Sequence, residues 1–341
     1  MTLLLLLILL ALGWPVHSTW DSCGACGLRP LASGDSKTRV VGGTNAAPGT
    51  WPWIISLQDP ARPPSKHHIC GGSLISSQWV ITAAHCFLEG SPGPVDTWRV
   101  VIGANRLSRL GPEVQVRHIG RVLIHEHYDN VTQSNDIALL QLNQPVQCSA
   151  YIQLACVPDA SVRVTEMKTC YVSGWGATTA RSTDVSDVLQ EAKVLLIDVT
   201  LCNSTWWYRG EIHTHNLCAG YAQGVIDTCQ GDSGGPLVCK DDYSDHFWLV
   251  GITSWGKGCA RVRRPGIYTS TQHFYDWILM QMTQNPPATE TPAPQPVFTS
   301  TPFERPSPTP TQSGCLFPLQ KLTEFFTALQ ELLQYLKGLK A

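Results

Sequence analysis

The chain has 341 residues, of which 43% are hydrophobic and 15% charged, and 24 Lys and Arg set against 26 Asp and Glu give a formal charge of −2. That length suits one large domain with appendages. The near-neutral balance excludes a partnership with nucleic acid driven by global charge.

The first residues, Met1-Thr2-Leu3, lead into an apolar stretch ending near Trp14. It is too short to span a bilayer and predicts a signal peptide over residues 1–18, with Val16 and Ser18 at the cleavage site. No later segment is long and apolar enough to predict a transmembrane span. Thirteen cysteines behind an export signal predict the secretory pathway and a disulfide framework. The odd count leaves at least one thiol free or paired with another molecule. The sequons at Asn130 and Asn203 predict N-linked sugars.

Residues 19–39 are short and polar, too few to bury a core, and form a leader containing Cys23 and Cys26. No βαβ pattern follows Cys23-Gly24-Ala25-Cys26, which argues against a redox motif. Residues 40–283 hold many short β-rich runs, such as Trp98–Ile102 and Trp248–Ile252, broken by Gly, Pro, Asn and Asp. This pattern predicts an all-β barrel or sandwich, closed by an amphipathic helix near residues 272–282. Residues 284–318 are rich in Pro and Thr and read as an extended linker. In the tail, residues 319–341, Leu319, Leu322, Phe326, Leu329, Leu333 and Leu336 recur at helical spacing. They predict an amphipathic helix of about six turns.

Three segments carry the chemistry: Thr82-Ala83-Ala84-His85-Cys86, Asn135-Asp136-Ile137-Ala138-Leu139 and Gly231-Asp232-Ser233-Gly234-Gly235-Pro236. A serine hydroxyl is a poor nucleophile at neutral pH. It needs an imidazole to take its proton and a buried carboxylate to orient that imidazole. Singly, each segment is weak evidence, and His67 or His118 would serve as well as His85. In the order His, Asp, Ser along a β-rich chain, the three predict a catalytic triad of His85, Asp136 and Ser233.

On these motifs, residues 40–283 resemble the chymotrypsin/trypsin family of serine proteases. The resemblance implies two six-stranded antiparallel β-barrels with the active site between them, His85 and Asp136 coming from the first and Ser233 from the second. It implies an oxyanion hole made by the backbone N–H groups of Gly231 and Ser233. It places Asp227, six residues before Ser233, at the floor of a pocket for Arg or Lys. Ser254, Trp255, Gly256 and Gly266 would border the substrate. The segment Arg39-Val40-Val41-Gly42-Gly43 resembles the family's activation junction: a cut after Arg39 would free the Val40 ammonium to pair with Asp232, and Arg39 itself suits the pocket.

The implied disulfides are Cys23 and Cys26 with Cys148 and Cys156, Cys70 with Cys86, Cys170 with Cys239, Cys202 with Cys218, and Cys229 with Cys259. Cys315 is left over. Protein substrates and serine protease inhibitors are the expected partners, and no cofactor is expected. Ala104 stands where calcium-binding members of the family keep a carboxylate, so no calcium site is expected. His125 with His127, and His213 with His215, offer too few ligands for zinc and read as surface histidines. The leader Cys23–Arg29, the segments Leu201–Thr205 and Ile226–Gln230, and the Pro-rich tail further resemble the acrosomal members of the family. This implies residence in the sperm acrosome and sulfated egg-coat glycoproteins as partners. Two basic groups could meet them: Arg106, Arg109, Arg117 and Arg121, and Lys257, Arg261, Arg263 and Arg264. An adhesion protein that has lost catalysis is the competing class, but all three triad residues are present.

Overall fold

The structure, a computed structural model, describes residues 23–32, 43–63, 67–88, 94–178, 184–224, 231–241 and 244–286, all within one compact unit. The expected signal peptide, the linker beyond residue 286, the tail helix and Cys315 lie outside the described residues, and Gln284, expected to open the linker, instead ends the closing helix.

Among the described residues, twelve strands build two closed six-stranded barrels. The first consists of β2 (Ile54–Gln58), β3 (His68–Ser76), β4 (Trp79–Thr82), β5 (Arg99–Ile102), β6 (Gln115–Ile124) and β7 (Ala138–Leu142), in the order β2-β3-β4-β7-β6-β5. Pairing of β2 with β5 closes the ring. The second consists of β8 (Cys170–Gly174), β9 (Gln190–Ile197), β10 (Asn216–Gly220), β11 (Pro236–Lys240), β12 (Phe247–Trp255) and β13 (Gly266–Ser270), in the order β9-β10-β13-β12-β11-β8. Pairing of β8 with β9 closes it, and the short β1 (Thr44–Asn45) adds to the outside of β9. Every pairing between these strands is antiparallel, and closure leaves neither barrel an open edge to aggregate.

The sequence explains the barrels locally. Strand β4 is buried at all four positions and β12 at seven of nine, so each reads as a continuous apolar run. Strand β6 instead is buried only at Ile119, so its arginines keep contact with water. Trp53, Ile55, Leu57, Leu74, Ile81 and Trp98 fill the first core, and Val172, Val194, Leu237, Val250 and Tyr268 the second. The closing helix spans Tyr275–Gln284, slightly later than expected, because a turn precedes it; it buries Trp277 and Ile278.

Between described residues, five disulfides join Cys23–Cys148, Cys26–Cys156, Cys70–Cys86, Cys170–Cys239 and Cys202–Cys218. The partner expected for Cys259, Cys229, is outside the described residues. Two bridges hold the leader, which is also seated without them: Gly27 N–H donates to the Leu154 carbonyl at 2.7 Å and Phe247 N–H to the Gly27 carbonyl at 3.0 Å. The Arg29 guanidinium lies 4.5 Å from the Trp51 ring centroid and 4.1 Å from that of Phe247, a double cation–π contact.

The Cys70–Cys86 bridge closes a short loop, the two residues being 16 apart. Replacing both cysteines by Ala is expected to cost about 3 kcal/mol of unfolding free energy, read as a lower midpoint in urea.

Candidate active site

Asp136 lies two residues before β7, and its side chain has no solvent exposure. Its carboxylate accepts the His85 backbone N–H at 2.9 Å, the His85 Nδ1–H at 2.7 Å, and the Ser254 hydroxyl. Its carbonyl accepts the Thr269 hydroxyl at 2.9 Å. A buried carboxylate without partners is strongly destabilising, and charge-assisted hydrogen bonds offset that cost. A carboxylate can only accept, so Nδ1 of neutral His85 carries the proton and Nε2 keeps its lone pair. His85 sits in a 3-10 turn, Ala84–Phe87, with 19% of its side chain exposed, so a reactant can reach it. The negative charge of Asp136 is felt at Tyr128, whose phenol is pushed up to about 12, chiefly by burial and then by that carboxylate.

Ser233 lies in the turn before β11. Its carbonyl accepts Gly71 N–H from β3 at 2.7 Å, and Gly234 N–H donates to Thr253 of β12 at 2.8 Å. The turn is therefore pinned between the barrels, next to the strand whose Cys70 is bridged to Cys86, the neighbour of His85. Gly231 and Gly234 have φ of +95° and +76°, a region that favours glycine.

Asp232, beside Ser233, accepts Gly176 N–H at 2.9 Å. A Cβ on Gly174 or Gly176 would collide with this carboxylate, so the two glycines form its notch. Trp255 ends β12 and stands perpendicular to Tyr208 at 5.3 Å. Gly256 is exposed, and a Cβ there would meet nothing nearer than the Gly258 carbonyl at 3.6 Å. Gly266 is buried in β13 opposite Ala219. Asp227, Arg39 and Val40 lie outside the described residues.

Several expected residues have partners that the sequence did not suggest. Ser254, expected to border the substrate, is buried, and its hydroxyl donates to Asp136. His215, read as a surface histidine, is 8% exposed and accepts a hydrogen bond from the Asn135 backbone; its strand neighbours cannot reveal a contact made across the barrels. Asn130 is exposed, whereas both amide atoms of Asn203 engage the Ile212 backbone, at 3.0 and 3.1 Å. Arg106 is ion-paired with Asp187 at 2.9 Å and Lys257 with Glu211 at 2.5 Å, both on the surface. His118, the alternative to His85, sits on β6 with Nδ1 3.2 Å from the Trp98 carbonyl.

Ser56 and His68 carry no motif, and sequence reasoning missed them. The Gly231 carbonyl can only accept, so the 2.8 Å contact assigns the proton of His68 to Nε2. Nδ1 then accepts the Ser56 hydroxyl at 2.7 Å. His68 thereby orients the peptide that precedes Asp232. Burial pushes its pKa down to about 4, against the opposing pull of the Gly231 carbonyl.

Two His and Cys groups draw together among the described residues, Cys26, Cys156 and His246, and Cys70, His85 and Cys86. Their sulfurs are already in disulfides and offer no thiolate to a metal.

The trypsin family model matches residues 40–278, more than half the chain. The chain belongs to the trypsin family of serine proteases. It is similar to human transmembrane protease serine 5, with 41% identity over 256 residues, covering 75% of this chain and 53% of that protein. The chain thus spans about half the length of that curated relative. Among the described residues, no helix of this trypsin-family chain is long and apolar enough to cross a membrane.

The buried neutral state of His68 makes stability depend on acid. Its folded pKa of about 4 lies below the ordinary 6.5, so its contribution is present above pH 6.5 and is lost as pH falls toward 4. The loss approaches roughly 3 kcal/mol over that window. His68→Gln is expected to flatten this part of the stability–pH curve measured by urea unfolding.

Proposed function

We propose that this chain is a serine endopeptidase that cleaves after Arg or Lys, with His85 as the proton acceptor, Asp136 as its orienting carboxylate and Ser233 as the nucleophile. The observation that carries the reading is the fully buried Asp136 bound by both nitrogens of His85 that face it, backbone and ring, beside the pinned turn bearing Ser233. In this scheme Ser233 Oγ attacks the substrate carbonyl while its proton passes to His85 Nε2. The imidazolium that forms is stabilised by Asp136 and returns the proton to the leaving amine. The N–H groups of Gly231 and Ser233 would hold the oxyanion, where one donor contributes on the order of 3 to 4 kcal/mol. Water then repeats the sequence on the acyl-enzyme.

Specificity is assigned to Asp227, because a carboxylate in a closed pocket favours an extended cationic side chain. Trp255 and the open side of Gly256 support a substrate passing along the end of β12. Activation is assigned to cleavage after Arg39, with the Val40 ammonium pairing with Asp232. The notch that holds Asp232 supports this reading, since the carboxylate is already turned inward beside Gly176. The two bridges and the Arg29 seat support a leader that stays attached as a light chain after the cut.

Within the family we favour an acrosin-like protease of the sperm acrosome, exported through the secretory pathway and acting on the egg coat. The double-cysteine leader and the Pro-rich tail carry that resemblance. Its partners would be proteins cut after Arg or Lys, serine protease inhibitors and sulfated glycoproteins. Arg261 and Arg263 are exposed and stand nearest this role, whereas Arg106 is engaged with Asp187.

A random peptide library treated with activated protein is expected to be cut after Arg and Lys, with Ser233→Ala inert. Asp227→Ser is expected to abolish this preference while Ser233 still reacts with an unselective sulfonyl fluoride. Unchanged Arg-ester hydrolysis in that variant would defeat the pocket assignment. If activation is autocatalytic, purified Ser233→Ala precursor stays uncut at Arg39; cleavage on the normal schedule would show that another protease does it.

A further inference from the structure

Asp136 is presented by a backbone in an uncommon conformation. Gln133 and Asn135 have φ of 56° and 54°, and Ile137 N–H folds back to the Asn135 carbonyl at 2.9 Å. Asp136 therefore occupies the middle of a three-residue turn. Residues other than glycine hold positive φ where their surroundings over-determine it. Here the restraint is visible on both sides of Asn135. Its side-chain amide donates to the His127 carbonyl at 2.8 Å, and its backbone N–H donates to His215 Nε2 at 3.0 Å.

The second contact fixes a protonation state. A backbone N–H can only donate, so His215 Nε2 must be bare. His215 lies just before β10, in the second barrel, so the bond crosses to the residue next to Asp136 in the first. Other histidines surround it. His213 stacks on His215 at 5.2 Å with rings 5° apart, and its Nε2 is 3.1 Å from the Thr132 carbonyl of the same loop. His273 lies 5.6 Å away and Phe274 5.5 Å, with His125 5.1 Å from Phe274 and His127 5.9 Å from His125. The acidic and phenolic groups about this site have hydrogen-bond partners of their own, although Asp129 also faces His213 and Glu126 faces His125 and His127. Glu126 accepts Trp277 Nε1, Asp129 accepts loop N–H groups, Tyr128 donates to Gln133, and Asp136 faces His85. Burial first, then His213, His273 and His125, hold the His215 pKa down to about 4.

We propose that His215 is a positioning residue for the Asp136–His85 pair: its bare Nε2 accepts the Asn135 N–H and so fixes the turn that aims the Asp136 carboxylate at His85. The inference rests on the proteolytic reading above. Neutrality serves the site by supplying that acceptor.

The test compares activated wild type, His215→Leu and His215→Gln on one Arg amide substrate, with histidine nitrogen NMR on each. His215→Leu is expected to lower kcat roughly ten- to a hundredfold, as for a small misplacement of a reacting group, with KM unchanged. His215→Gln, whose amide oxygen accepts without titrating, is expected to restore kcat. The His215 Nε2 resonance should keep the shift of an unprotonated acceptor through the mildly acidic range. Wild-type kcat in the Leu variant, failure of Gln to rescue a folded protein, or a protonated Nε2 at neutral pH would each overturn the proposal. If His215→Leu does not fold, the Gln variant and the resonance decide. Wild type inert toward every basic peptide would overturn the proteolytic reading itself, and this role with it.

Discussion

A carboxylate with no access to water lies where the two barrels meet, and the arrangement around it depends on keeping that charge satisfied. Asp136 draws a backbone N–H and an imidazole from the first barrel and a hydroxyl from β12 of the second. Thr269 of β13 holds its carbonyl. Leaving such a charge unpaired costs several kcal/mol, so neither barrel can shift without breaking bonds that the other supplies. The same bonds fix the tautomer of His85. Stability and chemical readiness have one origin here.

The Ser233 turn shows a related economy. Its carbonyls and N–H groups are tied to Gly71 and Thr253, so the turn belongs to both barrels. Asp232 is turned into a notch that two glycines leave open, and His68 holds the carbonyl of Gly231 from the other side. Four contacts thus restrain one short turn, two of them through buried or half-buried side chains. A barrel pair is well suited to this because each closed sheet is rigid, and the loops between strands can carry the chemistry.

Histidines occupy two quite different niches in the molecule. His85 is partly exposed and bonded to Asp136, whereas His68 and His215 are buried and held neutral, each with a pKa of about 4. The two buried rings face a carbonyl or an N–H and little water, so burial disfavours their charged form. Residue type alone does not separate a partly exposed histidine from a buried neutral one.

Some of this was legible in the chain itself. The short apolar runs between turn residues gave the barrel class, and the three motifs around His85, Asp136 and Ser233 pointed to the reaction, because chemistry constrains residue types at close sequence spacing. Tertiary structure alone decided that Ser254 serves Asp136, that Ser56 and His68 brace Gly231, and that His215 is buried against Asn135. These partners lie 118, 163 and 80 residues apart, in the order Ser254–Asp136, His68–Gly231 and His215–Asn135. Periodicity and local propensity act over a few residues, whereas a contact between barrels exists only once both sheets have closed and brought their loops together.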